Sequence, residues 1–251
     1  MTPELYQKIK SIGDNSENME QLLFCLSLSD NEESRKFVAR NNKTSKKLLM
    51  KLAKDENESV REQVSFNSNC DNELMELLAK DSSVKVRINV ASAWHVKENG
   101  QEHSISPNIL AYLSEDIDDV VRSSVADNRY TPSEVLDILA DDPSWNVRWG
   151  VAMNGATPIK TIWRMGMETV VNDLMQMLCQ RHDVHSDFFN MILEKPGIRT
   201  DDVYKAIIQN PNVSVGNLDK IISNQDISPE VMCMAIEKKI FLLEIPRLFD
   251  V

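Results

Sequence analysis

The sequence predicts an all-α chain, an α-solenoid built from short paired helices, on three observations. Arginines recur at fixed intervals: Arg35, Arg61, Arg87, Arg122 and Arg148 are separated by 26, 26, 35 and 26 residues. A period this regular marks stacked supersecondary units, each unable to bury its apolar face alone. The surroundings recur too, in "SRKFVARNNKTS", "VREQVSFNSNCD", "VRINVASAWHV", "VRSSVADNRYTP" and "VRWGVAMNGATP". Finally, seven glycines and seven phenylalanines in 251 residues leave little material for tight hairpins or an aromatic sheet core.

Taken in chain order, residues 1–28 read as two capping helices, around "TPEL" and "SENMEQLLFCLSLS". Residues 29–167 hold five repeats, each a pair of helices. Valines one residue before and three after the arginine, such as Val60 with Val64 and Val147 with Val151, lie one helical turn apart on one face. Asp55, Asp81, Asp116 and Asp142 each precede an arginine by six residues, near a helix start where acids are favoured. Asn41, Asn67, Asn128 and Asn154 are expected to close the first helix in the left-handed conformation of a C-terminal cap. Thr131-Pro132 and Thr157-Pro158 are expected to open the second as N-cap and first-turn proline. "LLMKLAK", "LMELLAK" and "VLDILAD" supply its leucine stripe. Nine surplus residues near 94–105, with His95 and His103, are expected to form a polar loop. They read equally as tolerated drift or as a specific contact.

Beyond Met167 the arginine frame lapses, because its next position is Leu174. Ser186, Thr200, Ser214 and Ser228 then recur every 14 residues, each before a helical stretch. Residues 168–251 are therefore expected to continue the same solenoid in degenerate repeats.

Over about residues 22–166, the recurring "VRxxVAxN…TP…LxxLA" phrasing resembles the leucine-rich repeat variant and HEAT-like families. The resemblance implies a right-handed superhelix that binds another macromolecule along one surface. It also implies that the repeated aspartates and arginines form a hydrogen-bonded ladder between neighbouring repeats. The founding variant protein carries an iron–sulfur cluster on clustered N-terminal cysteines; here only Cys25 lies in the first 69 residues, so no cluster is expected.

The formal net charge of −11 argues against default affinity for nucleic acid. Charge is uneven: residues 30–54 carry eight Lys and Arg against three acids, and residues 98–142 carry eleven acids against Arg122 and Arg129. Such a surface would steer a basic partner toward the acidic middle. No apolar run approaches a membrane span, and "MTPELYQKIK" lacks the apolar stretch of a secretory signal. With four scattered cysteines, this predicts a cytoplasmic protein with reduced thiols.

Neither a glycine-rich phosphate loop, a nucleophile elbow nor an H-E-x-x-H pattern occurs. Cys179, His182 and His185 have the spacing of a zinc set only in part, since His185 drifts around the helix from Cys179. The reading is an inter-helix turn, with no metal and no cofactor. Trp145, Trp149 and Met153 fall at i, i+4 and i+8, opposite the valine stripe, where Phe66, Ile88 and Asp127 stand in other repeats. An outward aromatic pair either anchors an interface or packs beneath another part of the chain.

With Asp119 on the acidic surface, these seven residues form the expected partner-binding set. The expected function is a non-enzymatic protein-binding scaffold (adaptor, inhibitor or immunity-type) for a partner with a basic surface. The alternative is an alkylpurine DNA glycosylase, a HEAT-like solenoid of similar size whose basic concave face holds a lesion with Trp, Asp and Arg. Trp145, Trp149, Arg148 and Asp142 supply those types, but this region is acidic. A subunit of a larger assembly is a third reading.

Overall fold

The computed structural model describes residues 16–93, 96–98, 101–103, 105–169, 171–196 and 200–248. The first of the two expected capping helices lies outside these residues. Among them are sixteen helices and one two-stranded hairpin. In order they are α1 (Ser16–Leu26), α2 (Glu32–Arg40), α3 (Lys46–Leu52), α4 (Glu58–Ser65), α5 (Asn72–Leu78), α6 (Val84–Ala91), β1 (Val96–Glu98), β2 (Gln101–His103), α7 (Pro107–Leu113), α8 (Asp119–Asp127), α9 (Ser133–Leu139), α10 (Trp145–Met153), α11 (Ile159–Glu168), α12 (Asn172–Gln180), α13 (Ser186–Glu194), α14 (Asp201–Gln209), α15 (Val215–Ile222) and α16 (Pro229–Leu248).

The chain divides into two compact units, Met1–Val135 and Leu136–Val251. The division falls inside α9. In the first unit α2 packs on α4, α4 on α6 and α6 on α8, while α3, α5 and α7 fold back against their chain neighbours. In the second, α10, α12, α14 and α16 form one row, and α11, α13 and α15 another. Alternate helices stacking in rows is the arrangement of an all-α repeat of the solenoid class.

Each repeat holds for the reason its pattern suggests. In α4, Asn57 caps the first turn by accepting from the amide of Ser59, and Val60 and Val64 are wholly buried. Val86 with Val90, Val121 with Val125, and Val147 with Val151 are buried likewise. The second helices bury Leu49 and Leu52, Leu74 and Leu78, Leu110 and Leu113, and Leu136 and Leu139. Full burial of one such side chain is worth about 1.5–3 kcal/mol, so the two stripes together dominate the stability of a repeat.

Three local expectations are corrected. The asparagines do not adopt the left-handed cap: Asn41, Asn128 and Asn154 have φ of −74°, −72° and −71° with extended ψ. Their side chains bridge instead. Oδ1 of Asn67 accepts from the amide two residues on, while its Nδ2 donates to the Ala39 and Asn41 carbonyls of the preceding repeat at 2.6 and 2.9 Å. Asn128 does the same to Ala91 and Ala93, and Asn210 to Cys179 and Arg181. An inward-facing amide thereby satisfies two orphan carbonyls at a helix end.

The threonines do not cap the helix that follows. Thr44, Thr131 and Thr157 are buried, and their hydroxyls donate backward to the carbonyls of Val38, Val125 and Val151 at 2.6, 2.5 and 2.6 Å. Pro158 rather than Thr157 takes the N-cap place of α11. Nor is the surplus segment a polar loop: Val96 pairs with His103 and Glu98 with Gln101 in an antiparallel hairpin. Nine residues are too few for another helix pair, and the two described strands of the segment pair with each other instead. His95 lies outside the described residues.

The C-terminal rhythm is mostly as expected. Ser214 forms a capping box with Asn217 ahead of α15, and Thr200 and Ser228 stand at or beside the starts of α14 and α16. Ser186 is displaced by one: it is the first residue of α13, and His185 occupies the cap.

Candidate functional site

The most chemically distinctive surface lies on α10. Val147, Gly150, Val151 and Ala152 turn inward, which leaves Trp145, Trp149 and Met153 on the other side. Trp149 keeps 36% of its surface exposed and Met153 58%, while Trp145 is half-buried. The two indole centroids are 5.7 Å apart, tilted by 51°, and the Arg148 guanidinium lies 5.9 Å from the Trp145 ring. Such contacts restrain the ring planes relative to one another.

The stripe runs into a pocket of about 490 Å³ between the end of α10 and α12, lined by Met153, Gly155, Met177, Gln180, His182 and Asp183. Arg181 builds its rim. Its Nη1 donates to the carbonyls of Ala152 and Asn154, at 2.7 and 2.9 Å, where an asparagine serves elsewhere. Its Nε and Nη2 hold the Asp183 carboxylate, whose pKa lies below the ordinary value because of that hydrogen bond. Sequence reasoning missed Arg181, since an arginine at an asparagine place carries no recognisable signal. It also missed Met177, because α12 stands outside the arginine frame.

The remaining members of the expected set lie in the first unit. Phe66 is 64% exposed and borders a pocket of about 290 Å³ with Asn67, Cys70, Met75 and Asn89. Ile88 and Asp119 are half-buried, and Asp127 is exposed at the end of α8. Trp145, Trp149 and Met153 belong to the second unit.

The ladder residues are brought together, in a register the spacing did not specify. Arg35 grips Asp55 with Nε and Nη2 at 2.7 and 3.0 Å, Arg61 grips Asp81 at 2.7 and 2.8 Å, and Arg87 grips Asp116 at 2.6 and 3.0 Å. Each carboxylate comes from the repeat ahead, and for Arg61 and Arg87 it is not that of the aspartate six residues before the arginine. That earlier aspartate offers its backbone carbonyl to Nη1, as Asp55 does to Arg61, Asp81 to Arg87, Asp116 to Arg122 and Asp142 to Arg148. The aspartates also accept from the amide of the N-cap residue two positions on. They therefore work as turn and rung residues rather than through the helix dipole. Burial opposes the Asp116 charge, but the bonds from Arg87 and the Asp118 amide outweigh it and hold its pKa below the ordinary value.

Cys179, His182 and His185 are not assembled into a site. Cys179 is buried on α12, its thiol pushed well above the usual range by desolvation, whereas both histidines are exposed. Among the described residues no three His, Cys, Asp or Glu side chains are grouped to hold a metal. Nor is any helix among them long and apolar enough to cross a membrane.

No protein-family model matches the chain, and no curated protein does. Among solved structures it is similar to "a leucine-rich repeat variant with a novel repetitive protein structural motif", at 21% identity and a TM-score of 0.67, covering 88% of this chain and 82% of that one. A crystal structure of an engineered protein aligns at 14% identity with a TM-score of 0.19, too low to carry an argument. The chain thus shares the fold of a leucine-rich repeat variant, an all-α repeat structure of the solenoid class.

Proposed function

We propose that this protein is a non-enzymatic, protein-binding repeat scaffold of the adaptor, inhibitor or immunity type. It engages its partner through the Trp145, Trp149 and Met153 stripe, with the acidic residues of the middle repeats steering the encounter. The observation that carries this reading is the exposure of Trp149 and Met153 on a helix whose opposite side is fully packed. An ordered, half-exposed aromatic pair leading into an adjoining pocket is how an interface anchor is presented before binding. The eleven acids of residues 98–142 complement a partner whose apolar anchor is ringed by basic groups.

The test begins by capturing partners from native lysate with wild-type protein and with Trp149→Ala, then measures kinetics with the purified partner. Trp149→Ala is expected to weaken binding by at least about 2 kcal/mol while leaving the melting temperature unchanged. Asp119→Lys is expected to slow association most at low salt. If Trp149→Ala melts the fold and binding per folded molecule survives, the stripe is internal packing and the reading fails.

A further inference from the structure

The arginine ladder stops at Arg148 with one half of its grip unused. In Arg35, Arg61 and Arg87, Nη1 donates to two carbonyls of the preceding turn, and Nε with Nη2 take both oxygens of one carboxylate. The Nη1 of Arg148 makes the same two bonds, to Asp142 and Pro143 at 2.6 and 3.0 Å. Its guanidinium is therefore placed as in the complete rungs. Its Nε and Nη2 edge, however, has no carboxylate among the described residues.

The reason is a change of residue in the repeat ahead. Every rung aspartate accepts from the amide of the N-cap residue two positions later, as Asp55 does from Asn57 and Asp81 from Ser83. In the turn before α12 the same bond runs from the amide of Val171 to Oγ1 of Thr169 at 3.1 Å. Thr169 thus occupies the rung place, keeps the turn and lacks the carboxylate. The neighbouring acid, Glu168, does not stand in for it. The helix α11 runs through Glu168, in ten residues where α3, α5, α7 and α9 have seven, and its carboxylate lies 4.0 Å from Arg164. What remains is a pocket of about 380 Å³ lined by Asp142, Pro143, Arg148, Glu168, Thr169 and Val171.

We infer that this open rung binds one carboxylate, an aspartate or glutamate side chain of a partner protein, gripped by Nε and Nη2 of Arg148 in place of the missing aspartate. The acids nearby do not forbid this. Arg61 holds Asp81 with Asp55 and Glu58 close by, and Arg87 holds Asp116 with Asp81 and Asp118 close by. A bidentate fork in fixed geometry is the strong form of this contact. A polypeptide source follows from Trp145, whose ring lies against the same guanidinium and joins the site to the apolar stripe. The inference deepens the proposed function and rests on it for the partner's class, though its test uses no partner.

The experiment is a ¹H–¹⁵N titration of the whole chain with N-acetyl-aspartate methylamide, following the Arg148 Nε–H and Trp145 indole N–H signals. Parallel titrations use the blocked asparagine analogue and N-acetylglycine, whose carboxylate represents a chain terminus. Saturable shifts with the aspartate analogue are expected, at least tenfold weaker with the asparagine analogue and in Arg148→Gln. Thr169→Asp should supply the rung internally, abolishing those shifts and raising the melting temperature by about 2–4 °C. Absence of saturable shifts, equal shifts in Arg148→Gln, or binding that appears only after Glu168→Gln would each overturn the inference. Tighter binding of N-acetylglycine would overturn the side-chain source. Failure here leaves the Trp149→Ala comparison standing, and failure there leaves this titration standing.

Discussion

The guanidinium of Arg87 meets both carboxylate oxygens of Asp116, at 2.6 and 3.0 Å, across 29 residues, whereas the equivalent pairs Arg35–Asp55 and Arg61–Asp81 span 20. The rung has the same geometry with nine more residues between its ends. The surplus is taken up by the β1–β2 hairpin, so the stack is indifferent to it. Arg87→Ala should leave Asp116 buried and unpaired, lowering stability by about 1–3 kcal/mol in chemical denaturation. An unchanged midpoint would mean that the ladder is ornamental.

Acid should erase that difference. The pKa of Asp116 is held below its unfolded value, so its pairing contributes fully above about pH 4 and is lost as pH falls through the folded pKa. Melting curves of wild type and Arg87→Ala should therefore converge as the pH falls below about 4. A constant gap would assign the effect to the packed arginine stem.

Val64 and Val125 are wholly buried, each a turn beyond another buried valine. Val64→Asp and Val125→Asp place a lone charge between helices, and a loss of about 3–5 kcal/mol is expected for each. Soluble protein that unfolds cooperatively, recovered from both variants, would contradict the helical phase.

The inter-repeat amides make a separate prediction. Asn67→Ala and Asn210→Ala each orphan two carbonyls, at a cost of about 1–3 kcal/mol. Asn67→Gly should do no better than Asn67→Ala, because φ is negative at the related positions Asn41, Asn128 and Asn154. Rescue by glycine, seen in thermal melts, would restore the left-handed cap.

What was legible depended on whether a residue's partner lay within its own helix. The buried pairs Val60–Val64 and Val147–Val151, and the outward Trp145 and Trp149, follow from one helical period. The Asn67 bridge was not legible, because its acceptors at Ala39 and Asn41 lie 28 and 26 residues away, and asparagine after a helix has a more familiar local use. Arg181 escaped notice for a related reason: a longer side chain reaches the same carbonyls from the same place. The ladder was legible as a pairing of types, but its register was not, since Arg61 and Arg122 each have an aspartate six residues behind and another twenty ahead.

The two sets of bridges give the chain a direction. Among the described residues, the amide bridges of Asn67, Asn128 and Asn210 run backward, the later repeat donating to carbonyls of the earlier one, whereas Arg35, Arg61 and Arg87 reach forward. A cut between two repeats therefore leaves unlike ends: bare carbonyls and a reaching guanidinium on one side, a bare amide and a waiting carboxylate on the other. Such ends fit one another but not themselves. A nicked or shortened chain should anneal head to tail with another copy, never head to head.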